Sequence, residues 1–133
     1  GYCSDMTRTV AIGDLDATSQ RMAEVVTAAN AAGVAAVRAG VAAADVDAAA
    51  RDVIAAAGWA EAFAHGTGHG VGLDIHEAPR LGATSTDVLE VGDVVTVEPG
   101  VYLPAHGGAR MEDSVLVAPD GCRVLTHSTK SLS

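Results

Sequence analysis

Three of the chain's five histidines, His65, His69 and His76, fall within twelve residues, in the run His-Gly-Thr-Gly-His-Gly-Val-Gly-Leu-Asp-Ile-His-Glu (65–77). Imidazoles gathered so closely are suited to metal ligation or proton transfer. His65-x-x-x-His69 has the spacing of a zincin pair, but that motif needs a turn of helix and a Glu directly after the first His. Here Gly66 follows and Gly68 intervenes, so the motif is rejected. The alternate glycines at 66, 68, 70 and 72 are out of register for a dinucleotide fingerprint, and no Gly-Lys-Ser/Thr completes a P-loop. What they permit is a bent, closely approached backbone. On one straight strand His69 and His76 would face opposite sides, so a bend or bulge at Gly70 or Gly72 is needed to aim them into one cavity.

The carboxylates that break local rules are Asp5, Glu98 and Glu112. Val94-Val95-Thr96-Val97 reads as a strand buried on both faces, and Glu98 extends it before Pro99-Gly100 ends it. Glu is depleted from strands, and an isolated charge beside such a run is costly. In Arg110-Met111-Glu112-Asp113-Ser114-Val115-Leu116-Val117 the period of two puts Arg110 and Glu112 on one face with Ser114 and Leu116. Asp5 shares a face with Thr7 and Thr9. Taken singly, Asp5 and Asp113 read as members of a solvated face. A bound cation, however, would offset the burial of Asp5, Glu98 and Glu112 together. One imidazole with three or more carboxylates is an oxygen-rich set that suits Mn2+, Co2+ or Zn2+ in a paired site better than a single structural zinc.

The elements that must position these groups are legible in outline. Residues 5–12 are predicted as a strand ended by Gly13-Asp14. Asp16 to Ser19 offer N-cap side chains for a helix over residues 18–39, with Met22, Val25, Val26 and Ala29 on its buried face and Gly40 as its stop. A second helix is expected from Asp45 as N-cap, through Val46, Ala50, Val53, Ile54 and Ala57, to Gly58. Strands are predicted over residues 93–98, 110–117 and 123–126. The order implies an α+β domain, two helices covering one face of a mostly antiparallel sheet. At 133 residues, with no repeat or linker, the chain is one domain.

Composition limits the partners. Hydrophobic residues make up 49%, enough for a core, but aromatics are only 3%, so Ala, Val, Leu and Ile must fill it, with Trp59 and Phe63 as rare large anchors. A net charge of −9 repels phosphate backbones and anionic lipid, so neither nucleic acid nor membrane is expected as a partner. The most apolar stretch, Ala31 to Ala44, carries Arg38 and is too interrupted to span a bilayer. Cys3 and Cys122 form no C-x-x-C pair and read as two buried free thiols of a cytoplasmic protein.

Four blocks in order, Gly-Tyr-Cys-Ser-Asp-Met-Thr-Arg-Thr (1–9), the histidine run (65–77), Val-Glu-Pro-Gly-Val-Tyr (97–102) and Gly-Gly-Ala-Arg-Met-Glu-Asp (107–113), resemble the pita-bread metallopeptidases, most closely the Xaa-Pro dipeptidases (prolidases) and Xaa-Pro aminopeptidases. Methionine aminopeptidases share the fold but differ in the first block and lack the Arg-x-Glu-Asp end, and creatinases lack the ligands. The resemblance implies that Asp5 and Glu112 bridge two metal ions and that His69 and Glu98 bind one of them. It further implies that Glu98 moves the proton, that His65 and His76 hold the substrate and the oxyanion, and that Arg110 orders the carboxylates or the substrate. Tyr102 is read as packing, Asp74 and Glu77 as structural support, and His106 and His127 as surface residues. The implied cofactors are two divalent ions, Mn2+, Co2+ or Zn2+. The implied partners are short proline-containing peptides and, in the intact protein, a second copy of the chain. Members of the family carry one more aspartate ligand about eleven residues before the position of Asp5, whereas this sequence has four residues before Asp5. The expectation is therefore a C-terminal portion of the catalytic domain, residues 1–133, that alone binds at most one metal tightly and is inactive. The competing reading is a non-catalytic pita-bread binding module.

Overall fold

A computed structural model describes residues 1–132. Two helices, α1 (Ala17–Ala36) and α2 (Ala43–Ala56), are followed by a 3-10 turn at Ala60–Ala62 and seven strands. These are β1 (Gly68–Gly70), β2 (Glu77–Leu81), β3 (Val94–Val97), β4 (Gly100–Leu103), β5 (Gly107–Arg110), β6 (Asp113–Ala118) and β7 (Gly121–Val124). Five strands form an antiparallel sheet in the order β2-β1-β3-β6-β7, and β4 and β5 pair as a separate ribbon. The expected α+β arrangement, helices over an antiparallel sheet, is what forms.

Small side chains let the layers close. Helix α1 crosses the sheet at Gly33, where a Cβ would lie 2.7 Å from Val97 Cγ1. One apolar cluster joins Met22, Val26 and Ile54 of the helices to Phe63 and to Val101 and Met111 around the ribbon. A second joins Val37 and Val46 to Leu81, Val95, Val97 and Val115 of the sheet. Burying each such Val, Leu or Ile contributes roughly 1.5–3 kcal/mol. Helix α1 begins as anticipated, with Asp16 Oδ1 accepting from the Ser19 N–H at 2.7 Å.

Several boundaries differ from the sequence reading. Helix α1 stops at Ala36 rather than Ala39 because its next donors leave the helix: Ala39 N–H goes to Ala118 O (3.1 Å) and Gly40 N–H to Leu89 O (2.8 Å). Helix α2 starts at Ala43, not after Asp45. Ala42 pairs with Val88 and Ala43 N–H bonds Asp87 O at 2.9 Å, so tertiary pairing sets the helix start and Asp45 sits in its first turn. The stretch read as one strand over 110–117 is broken. Arg110 ends β5, Asp113 opens β6, and Met111 between them turns into the core.

Residues 5–12 form no ladder. They run extended, with Met6, Val10 and Ile12 outward and exposed. Isolated backbone bonds, Glu112 N–H to Thr7 O and Ala11 N–H to Leu132 O, and side-chain bonds hold them instead: Arg8 donates to Glu112 O and Asp113 Oδ1, and Thr9 Oγ1 to Arg110 O. Neither cysteine is paired, and both are half-buried rather than buried; burial raises the Cys122 thiol. Among the described residues no helix is long and apolar enough to cross a membrane.

Candidate metal centre

The glycine run serves close packing. A Cβ on Gly68 would sit 1.9 Å from Thr96 O, and one on Gly70 2.2 Å from Ala78 O. Strand β1 can therefore lie between β2 and β3 only if those residues are bare, which leaves His69 as its one side chain. The bend expected at Gly70 or Gly72 is present as a register shift between His69 and Gly70. Beyond it the His76 ring lies with its centroid 4.3 Å from that of His69.

His69 Nδ1 lies 2.9 Å from Gly70 O. A carbonyl only accepts, so Nδ1 carries a proton, and in the neutral ring Nε2 then holds the lone pair. That lone pair faces Glu98 Oε1 at 3.1 Å and Asp5 Oδ2 at 3.6 Å. Donor atoms of Asp5, His69 and His76 also lie within 4.8 Å of one another, so His76, read from the resemblance as a non-ligand, stands within reach of the same ion. Thr96 ties the group together: its hydroxyl accepts from His69 N–H at 3.0 Å and donates to Glu98 Oε1 at 3.0 Å.

Glu112 completes the cluster. It is 1% exposed. Its Oε2 accepts from Thr7 Oγ1 at 2.5 Å, while Oε1 is buried with no partner among the described residues. Burial, with the nearby negative charges of Glu98 and Asp5, pushes its carboxyl up to about 7; the Thr7 hydroxyl and Arg110 oppose the rise. An imidazole nitrogen facing two carboxylates, beside a third buried carboxylate, is a donor set that a cation among them would stabilise. The donor chemistry thus fits divalent metal, with His69 oriented by a backbone carbonyl as metal-bound histidines commonly are.

The cluster borders a cleft of about 640 Å³ lined by His65, His69, Glu98, Arg80, Arg110 and the 81–87 loop. His65 Nδ1 lies 2.8 Å from Gly66 O, so its Nε2 accepts from the Tyr102 hydroxyl at 2.8 Å. Tyr102, expected to serve packing, lies across Gly108, its cross-strand partner, and reaches the site histidine. Arg110 donates to Thr7 Oγ1 at 3.0 Å and stands 3.9 Å from Glu98 Oε2. Arg80 lines the same cleft, and among the described residues its guanidinium has no ion-pair partner.

All seven residues singled out from sequence, Asp5, His65, His69, His76, Glu98, Arg110 and Glu112, therefore lie at this cluster or its cleft. His106 and His127 are exposed, as read. Asp113 is not on a solvated face: it is fully buried, with Arg8 3.0 Å from Oδ1 and the Lys130 ammonium 2.5 Å from Oδ2. The long separations in sequence, from residue 8 to 113 and from 113 to 130, hid this. Thr7 and Thr96 were also missed as supports, although each lies two residues from a ligand candidate on the same strand-like face.

Known proteins resemble this chain along nearly its whole length. An uncharacterized peptidase of Bacillus subtilis, YqhT, is 48% identical over 132 residues, covering 99% of this chain and 37% of its own length. The structure of an Xaa-Pro dipeptidase from Bacillus anthracis superposes with a TM-score of 0.97 at 46% identity, over 98% of this chain and 37% of that one. An X-Pro aminopeptidase from Thermotoga maritima gives 0.93 at 36% identity, again over 98% and 37%. The chain thus spans a little over a third of the relatives it matches, and its fold is the corresponding part of the pita-bread architecture. The profile of metallopeptidase family M24 matches residues 1–119, nearly nine-tenths of the sequence, and the chain belongs to that family.

Proposed function

We propose that this chain carries the metal-binding part of an enzyme that hydrolyses Xaa-Pro peptide bonds in short peptides. The observation that supports it most is the placing of Asp5 and Glu98 on the Nε2 side of His69, with the buried Glu112 close enough to feel both charges. We assign Asp5, His69, Glu98 and Glu112 as ligands of two divalent ions, Mn2+ or Co2+ in preference to Zn2+. Bound there, such ions would supply Lewis-acid polarisation of the scissile carbonyl and lower the pKa of the attacking water.

The chain's own residues do the rest. A proline after the scissile bond makes that bond a tertiary amide with no N–H to bind, so recognition must come from the carbonyl and the chain termini. His76, exposed beside His69, donates to the developing oxyanion. His65, held in one tautomer by Gly66 O and Tyr102, stands in the cleft where the peptide lies. Glu98 takes up the proton released by the nucleophile, and Arg110 orders Glu98 from the cleft side. Arg80 and Arg110 offer cations to a peptide carboxylate.

Residues 1–133 would act as the C-terminal portion of the catalytic domain within a longer cytoplasmic protein that dimerises. The relatives it matches are nearly three times as long, which supports the longer protein. On its own the portion would bind at most one ion tightly and be inactive. Retention of the donor set argues against a purely non-catalytic binding module. The test is hydrolysis of Ala-Pro, Ala-Ala and Ala-Pro-Ala by the whole protein saturated with Mn2+, alongside metal titration of the 133-residue chain. Cleavage at proline only is expected, and failure to cut any Xaa-Pro peptide would overturn the specificity.

A further inference from the structure

Residues 63–67 carry His65 into the cleft with neither helix nor strand to hold them. Their backbone groups must find partners elsewhere. The partners come from the underside of α2. Arg51 donates through Nη1 to Phe63 O at 2.9 Å and through Nη2 to His65 O at 2.8 Å. Its guanidinium also packs 4.2 Å from the Phe63 ring centroid, and that ring meets His65 edge-on at 5.0 Å. Asp47, 1% exposed, receives Arg51 at 2.8 and 3.0 Å and accepts from Thr67 N–H at 2.9 Å. Thr67 O in turn accepts from Glu98 N–H at 2.6 Å.

We infer that Asp47 and Arg51 are positioning residues that set His65, and through Thr67 the backbone of Glu98, from behind the site. Neither touches the cleft's ligand cluster. Asp47 is buried but Arg51 is partly exposed, and an ion pair of this kind contributes little to stability by itself. What it supplies here is a rigid planar guanidinium that donates to the carbonyls of residues 63 and 65, while its partner Asp47 accepts from the N–H of residue 67. A lysine ammonium cannot span those acceptors in one plane.

The inference rests on the reading of His65 as a substrate contact, so the test has an arm that does not. In the whole protein loaded with Mn2+, R51K is expected to raise KM for Ala-Pro about tenfold while kcat stays within about threefold. In the metal-free protein with 15N-labelled histidine, R51K is expected to move the His65 imidazole signals away from the single Nδ1–H tautomer and leave those of His69 in place. D47N, an isosteric change, is read on the same spectra, so the outcome does not depend on R51K folding. Unchanged His65 signals in folded R51K and D47N would overturn the inference. A wild-type protein inactive on Xaa-Pro peptides would sink the functional reading, and the spectra would still test the positioning role.

Discussion

The most informative perturbation is Glu112→Gln in the metal-free protein. Glu112 ordinarily titrates near 4.5 and is pushed up to about 7 in the fold. Between those values the unfolded chain has released its proton and the folded chain has not. The folded state therefore binds more protons, and stability falls as pH rises through this window. At about 1.36 kcal/mol per pH unit the full change would be roughly 3 kcal/mol. The neighbouring charges of Asp5 and Glu98 reach solvent through the cleft, and screening brings this to about 2 kcal/mol. For a domain of this size that corresponds to a fall of roughly 6 °C in Tm. Gln keeps the shape and the acceptor for Thr7 but cannot ionise. Thermal unfolding followed by circular dichroism in EDTA, from pH 5 to pH 8.5, should show wild type losing this stability relative to E112Q. Above pH 7 E112Q should be the more stable protein. Addition of Mn2+ should reverse the order, because wild type then gains binding energy that E112Q lacks. A flat difference across pH, or one of opposite sign, would refute the argument that this buried carboxylate awaits a cation.

Thr7→Val removes the donor to Glu112 Oε2 and the acceptor for Arg110 Nε; metal affinity by calorimetry should fall about tenfold, near 1.5 kcal/mol. Gly68→Ala drives a methyl into Thr96 O; urea unfolding should show a loss of about 3 kcal/mol or no folded protein, and a change below about 0.5 kcal/mol would mean the strand spacing is misread. Asp113→Ala leaves Arg8 and Lys130 facing a cavity and should cost about 3–5 kcal/mol by the same measurement.

Local rules carried the sequence reading far where side chains act through spacing. The apolar period of Met22, Val26 and Ala29 marks the buried face of α1, and the glycines around His69 announce an unusual backbone. They failed where the fold is decided by pairing across long separations. The start of α2 is set by Asp87 O, and residues 5–12 alternate like a strand yet are held by side chains and isolated backbone bonds instead of a ladder. The histidines and Glu98 were legible because they violate the chemistry of their surroundings. Asp113 was not, because its two cations come from opposite ends of the chain.

The contacts that bury Asp113 also tie residues 128–130 to the surroundings of Glu112. Lys130 reaches both Asn30 Oδ1 on α1 (2.6 Å) and Asp113, while the carbonyls of Ser128 and Thr129 receive Arg8. Arg8 sits one residue from Thr7, the support of Glu112. A protease nick or an appended tag around residue 128 would thus loosen Glu112 from a distance, and the damaged protein would mimic a ligand mutant in any metal-binding assay.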